Sequence, residues 1–179
     1  INHHMGVSAF AEHAVLSRHS LVKIDRTLPL DIAALFGCAV LTGAGAVFNT
    51  ARVMAGDTVA VIGLGGVGLN AILAAQVAGA TKIVAVDMLD SKLTLARQLG
   101  ATHAVNAGAA DAAEQIRAVT GHGVDHAFEM AGSVRAMDLA YRVTRRGGTT
   151  ITAGLSNPAH DFSLKHVSLV AEERTIKTL

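Results

Sequence analysis

Short apolar runs alternate along this chain with stretches of helical length, and glycines separate them. Thr58-Val59-Ala60-Val61-Ile62 is too short for a helix and rich in β-branched residues, which predicts a strand. A stretch of small residues reaching to about Ala78 predicts a helix, and Lys82-Ile83-Val84-Ala85-Val86 a second strand. Residues 91–99 read as a helix stopped by Gly100, and His103-Ala104-Val105-Asn106 as a short strand. A helix over 110–119 precedes Gly121 and Gly123, a fourth strand covers 124–129, and another helix covers 134–143. Gly147-Gly148 then turns the chain into a fifth strand, Thr149-Thr150-Ile151-Thr152-Ala153, and residues 175–179 open a sixth. Strands alternating with helices in this way predict right-handed βαβ units, hence an α/β fold with a doubly wound parallel sheet.

The opening residues do not follow this alternation. Residues 8–15 and Leu21-Val22-Lys23-Ile24 read as strands, and a helix is expected from Asp31 to about Leu41. The organisation expected is therefore the remnant of a preceding domain with a connecting helix over 1–45. A nucleotide-binding domain over 46–179 follows, truncated in its sixth strand.

The junction after the first strand carries the chemistry. Gly63-Leu64-Gly65-Gly66-Val67-Gly68 sets glycines at 63, 65 and 68 in a G-x-G-x-x-G pattern between a strand and a helix. In a dinucleotide site Gly63 permits the tight turn, Gly65 lets a pyrophosphate approach the backbone, and Gly68 lets the helix lie close on the strand. The helix N-terminus presents N–H groups and a partial positive charge to the phosphates. Asp87 ends the second strand, about 20 residues on, where a carboxylate accepts hydrogen bonds from the adenosine ribose of NAD. A 2′-phosphate at about 4 Å from that carboxylate is repelled by about 4 kcal/mol at an effective dielectric of about 20. Met88 follows rather than an arginine, and Lys92 offsets part of the repulsion, so NAD is expected over NADP. The alternative role for Asp87 is an N-cap of the helix beginning near Asp90.

Composition narrows the class. The chain has 179 residues, is 51% hydrophobic and 16% charged, and carries a net charge of +1 with its basic residues scattered, which predicts no nucleic-acid partner. Residues 32–51 and 58–81 are charge-free and long enough to span a membrane, but glycines and polar residues break both. Buried core is the better account, and no membrane association is expected. No signal pattern is visible from Ile1, and a lone cysteine fits a reducing compartment, so the expectation is cytoplasmic. His3-His4 lacks zinc spacing, while His13, His103 and His126 fall in predicted strands.

Taken together, Ser8-Ala9-Phe10-Ala11-Glu12, Leu21-Val22-Lys23-Ile24, the segment from Ala34 to Gly43, the Gly63–Gly68 turn, Asp87, the segment from Gly123 to Glu129 and Gly147-Gly148 resemble the zinc-dependent medium-chain alcohol dehydrogenase family. The resemblance implies a Rossmann sheet preceded by the last strands of a GroES-like β domain. It matches Cys38 to a ligand of the catalytic zinc and Thr42 to a threonine beside the nicotinamide. Gly63, Leu64, Gly65, Gly66 and Val67 match pyrophosphate and nicotinamide contacts, and Asp87 and Lys92 the adenosine-ribose contacts. Met130, Ala131 and Gly132, with Ala153, Gly154 and Leu155, fall where the family lines its cofactor cleft. The family acts on small alcohols or aldehydes and forms homodimers or tetramers, and residues 161–164 fall where an edge strand would pair across a two-fold.

The departures from the family are as informative. One thiolate does not hold a catalytic zinc, which needs three protein ligands, and Cys38 is the only cysteine. The expectation is the coenzyme-binding portion of a zinc-containing, NAD-dependent alcohol dehydrogenase, binding NAD without turnover by itself. Zinc is expected only in the intact enzyme. The alternatives are a zinc-free quinone-type reductase using NADPH, against which Cys38 and Asp87 stand, and a non-catalytic dinucleotide-binding module.

Overall fold

The computed structural model describes residues 11–179. His3-His4 and the first part of the strand expected over 8–15 lie outside them. Residues up to Ala34 form one compact unit and Leu35–Leu179 a second. In the first, Arg18–Ser20 is a 3-10 turn capped by the Ser17 side chain, and α1 (Leu30–Leu35) begins near its end. The strands expected at 11–15 and at Leu21-Val22-Lys23-Ile24 do not form among the described residues. Leu21 has extended dihedrals, but a strand needs a neighbour for its N–H and C=O groups, and none pairs with it here.

In the second unit six strands form one parallel sheet in the order β3-β2-β1-β4-β5-β6. They are β1 (Thr58–Ile62), β2 (Lys82–Asp87), β3 (His103–Asn106), β4 (Val124–Glu129), β5 (Thr144–Thr152) and β6 (Thr175–Thr178). Between them run α3 (Gly66–Val77), α4 (Asp90–Gln98), α5 (Ala112–Thr120), α6 (Val134–Val143) and α7 (His166–Glu172). This is the doubly wound Rossmann arrangement, with its topological switch between β1 and β4.

The central strands are buried on both faces, which is why β1 and β2 read as continuous apolar runs. Val59, Val61, Ile83, Ala85, Phe128 and Ile151 pack on one face with Ala71 and Ile72 of α3. Ala60, Ile62, Val84, Val86 and Ala127 pack on the other with Ile116 of α5 and Ala140 of α6.

One strand boundary needs correction. β5 starts at Thr144 rather than Thr149, because Thr144 pairs with Val124 directly after α6 and the ladder shifts register before His126 meets Thr149. The Thr144 hydroxyl bonds the Ala140 carbonyl and the Thr150 hydroxyl, each at 2.8 Å, so these buried polar groups are satisfied. Residues 161–164 pair with no strand of this chain; their expected pairing is with a second copy.

The helix expected from Asp31 to about Leu41 is longer than the sequence indicated. It runs over Leu30–Ala51, alternating α1, a π segment (Phe36–Val40), α2 (Leu41–Gly45) and a second π segment (Ala46–Ala51). By length and composition it is apolar enough to cross a membrane. Its second half nevertheless buries Gly43, Ala46, Val47 and Ala51. Gly43 is where the close crossing occurs: a Cβ there would sit 2.8 Å from Asn70 Cβ and 2.9 Å from the Ala71 nitrogen of α3.

Candidate functional site

The Gly63–Gly68 turn lies at the switch point, at the carboxyl end of β1. Gly63 has φ +95°, and a Cβ on it would meet the Ala131 nitrogen at 2.6 Å. Its N–H donates to the Val86 carbonyl at 2.8 Å, which fixes the turn to β2. A Cβ on Gly68 would collide with the Gly63 carbonyl oxygen, so the helix and the turn touch there. Gly65 differs from both: its backbone is extended, and a Cβ on it would meet nothing within 4 Å. Gly65 caps α3 without any side-chain bond to its first N–H groups, which leaves those donors for an anion.

Asp87 reaches across from the end of β2. One carboxylate oxygen accepts the Leu64 N–H at 2.8 Å, and the other accepts the Leu89 N–H at 3.0 Å. Lys92 Nζ stands 3.6 Å from the first of these oxygens. The helix-cap alternative does not hold, because the N-cap of α4 is Leu89.

The turns after β4 and β5 meet beside this region. Met130 donates its N–H to the Ile62 carbonyl at 2.8 Å, and Ala153 donates to the Glu129 carbonyl at 3.0 Å. Gly132 has φ +71°, and a Cβ there would sit 2.7 Å from the Leu155 carbonyl oxygen. Beneath the two turns lies Glu129, 1% exposed. Its Oε1 accepts the Ala131 and Gly132 N–H groups at 2.9 and 2.7 Å, and its Oε2 accepts the Thr152 hydroxyl at 2.8 Å. The sequence reading placed Glu129 in the fourth strand and assigned it no role. The available signal was an acid inside an apolar strand, immediately before a Met-Ala-Gly turn.

Two cavities open at these strand ends. One of about 1070 Å³ is walled by Gly63, Asp87, Met88, Gly108 and Ala131. The other, of about 500 Å³, is walled by Glu129, Thr152 and Gly154. Ser133, Val134 and Phe162 wall both. The fold thus gathers the glycine turn, Asp87, Lys92, Ala131 and Gly154 at one edge of the sheet. The helix bearing Cys38 and Thr42 stands over the same turn, since a Cβ on Gly66 would lie 3.3 Å from Ala39 Cβ.

The residues present fit a dinucleotide, because the open face at Gly65 and the uncapped helix end are what a pyrophosphate requires. They do not by themselves fit zinc. Cys38 is exposed, and among the described residues no three His, Cys, Asp or Glu side chains converge. The other polar clusters are paired within the protein, and Arg142 with Asp138 also walls the first cavity. Asp125 accepts the Thr58 N–H and hydroxyl at 2.8 and 2.7 Å and pairs with Arg145 Nε at 2.6 Å, at the amino ends of β1 and β4. Burial alone would raise the Asp125 pKa, but the Thr58 donors and the Arg145 guanidinium outweigh it and hold the carboxyl below its ordinary value. Arg142 is engaged by Asp138 and Glu114.

Residues 66–179 match the family described as zinc-binding dehydrogenase. The chain belongs to that family. This zinc-binding dehydrogenase chain is 40% identical over 179 residues to S-(hydroxymethyl)glutathione dehydrogenase of Synechocystis sp., covering 98% of itself and 48% of that relative. Among solved structures it resembles benzyl alcohol dehydrogenase of Acinetobacter calcoaceticus, with a TM-score of 0.92 and 33% identity over 97% of this chain and 48% of that one. A structure from Sinorhizobium meliloti bound to NADP is similar at a TM-score of 0.84 and 27% identity, covering 92% of this chain and 49% of that one. The chain spans about half the length of the curated relatives it matches.

Proposed function

We propose that this chain is the coenzyme-binding part of an NAD-dependent, zinc-containing dehydrogenase acting on a small alcohol or aldehyde. The observation that carries the reading is Asp87. Its carboxylate is anchored by the Leu64 N–H at the crest of the glycine turn, where it meets an adenosine ribose and repels a 2′-phosphate. The uncapped end of α3 receives the pyrophosphate, with the Gly65 backbone open to it. The turns at 130–132 and 153–155 then wall the nicotinamide end, and Thr42 lies beside it. Bound there, NAD supplies the acceptor for a hydride from the alcohol carbon. This chain's own task is to bind, orient and shield the dinucleotide.

Cys38 is proposed as one of the protein ligands of a zinc site completed by residues other than those described. On that basis the 179-residue polypeptide binds NAD(H) and oxidises no alcohol. A homodimer or tetramer in the cytoplasm is the assembly and location proposed.

A second reading, NADP use, has support from Lys92, whose Nζ at 3.6 Å partly neutralises Asp87. It is the weaker reading, because that lysine is already paired with the carboxylate a 2′-phosphate would face.

The test of dinucleotide binding is a fluorescence titration with NADH. Saturable enhancement of nicotinamide emission, displaced by ADP-ribose, is expected, and no change in emission at millimolar chain would refute the reading.

A further inference from the structure

Glu129 is the one charged side chain in the buried core among the described residues. A buried carboxylate needs a reason, because desolvating a charge is costly unless its lone pairs are filled. Here no cation fills them. All three donors are neutral, and they belong to two different turns: Ala131 and Gly132 after β4, and Thr152 at the end of β5. Gly154 packs directly on the same group, since a Cβ there would lie 2.8 Å from Glu129 Oε2. One rigid carboxylate therefore sets the gap between the two turns. An apolar residue would fill the volume but leave two N–H groups and a hydroxyl without acceptors.

The topology says which end of the cleft this gap serves. In a doubly wound sheet each half takes one mononucleotide. Asp87, at the end of β2, belongs to the β1–β3 half and so to the adenosine end. Glu129 and Thr152 belong to the β4–β6 half.

We propose that Glu129 is a positioning residue, holding the turns at 130–132 and 153–155 at the spacing that accepts the nicotinamide end of the dinucleotide. This rests on the dinucleotide reading above. It differs from a general brace of the fold in being selective for one end of the ligand.

The test titrates wild type, Glu129→Ala, Glu129→Gln and Thr152→Val with NADH and, separately, with ADP-ribose, which has every part of the adenosine end but no nicotinamide. Glu129→Ala is expected to weaken NADH about tenfold or more, the worth of a hydrogen bond to a charged group, and ADP-ribose by less than about threefold. Thr152→Val, which cuts only the arm to β5, shifts the two ligands in the same sense by less. Glu129→Gln restores NADH affinity, because its amide oxygen still accepts from Ala131 and Gly132. If Glu129→Ala does not fold, Thr152→Val decides. Equal weakening of both ligands, or unchanged NADH affinity, would overturn the proposal while wild-type binding keeps the dinucleotide reading intact. Failure of the wild type to bind either ligand overturns both.

Discussion

Replacing Gly65 and Gly68 separately by alanine distinguishes a glycine kept for the ligand from one kept for the fold. At Gly68 the new methyl strikes the Gly63 carbonyl oxygen. Gly63 has little room to retreat, because its own Cα faces Ala131 and its N–H holds the Val86 carbonyl at 2.8 Å. Overpacking of this kind costs about 1–3 kcal/mol, while alanine inside a helix regains about 0.5–1 kcal/mol over glycine. The expected net loss is about 1–2 kcal/mol, or a fall in the unfolding midpoint of roughly 2–8 °C for a unit of this size. At Gly65 the dihedrals, φ −79° and ψ −167°, suit alanine. Nothing lies within 4 Å of the methyl. The poorer N-cap and the stiffer unfolded chain nearly cancel, leaving about 0.5 kcal/mol or less in either direction. That methyl does occupy the space a pyrophosphate needs, and the same overpacking scale applied to the ligand predicts a loss of NADH affinity of about tenfold or more. Thermal unfolding and NADH titration of both variants are the assays. Gly65→Ala binding NADH within twofold of wild type would refute the assignment of the open face at Gly65 to the ligand.

Asp87→Asn keeps an acceptor for the Leu64 N–H but removes the charge. With a repulsion of up to about 4 kcal/mol relieved in part, NADPH affinity is expected to rise about tenfold or more while NADH changes little. An unchanged NADPH to NADH ratio would count against Asp87 as the selector. The Asp125 carboxyl has a folded pKa below its unfolded one, so its contribution to stability is full above the unfolded value and is lost as pH falls through the folded value. Between about pH 5 and pH 2, Asp125→Asn should therefore flatten the decline of the unfolding midpoint relative to wild type. Parallel declines would show that the Thr58 and Arg145 contacts do not hold the carboxylate in solution.

The strands that the sequence located well are those buried on both faces. β1 has no polar residue after Thr58 and ends at Gly63, and Gly123 marks the start of β4. β5 was placed five residues late because Thr144-Arg145-Arg146-Gly147-Gly148 reads as a polar turn, whereas its pairing with Val124 is set by tertiary context. α7 was not expected from the sequence: it is only seven residues long, and none of its residues is buried. Leu21-Val22-Lys23-Ile24 gave the opposite error, since β-branched residues predict a strand only if a neighbour exists to pair with. The glycine turn and Asp87 stood out in the sequence because they follow a fixed spacing between strand, helix and strand. Glu129 did not, because its role depends on Thr152, 23 residues away, arriving beside it.

The most direct test of the central claim is a calorimetric titration of this chain with NADH and, in parallel, NADPH. The proposed function predicts saturable one-site binding of NADH and NADPH binding weaker by about tenfold or more, because it sets Asp87 against the adenosine ribose. NADPH binding as tightly as NADH, or tighter, would contradict the role given to Asp87. Binding of neither would contradict the site itself.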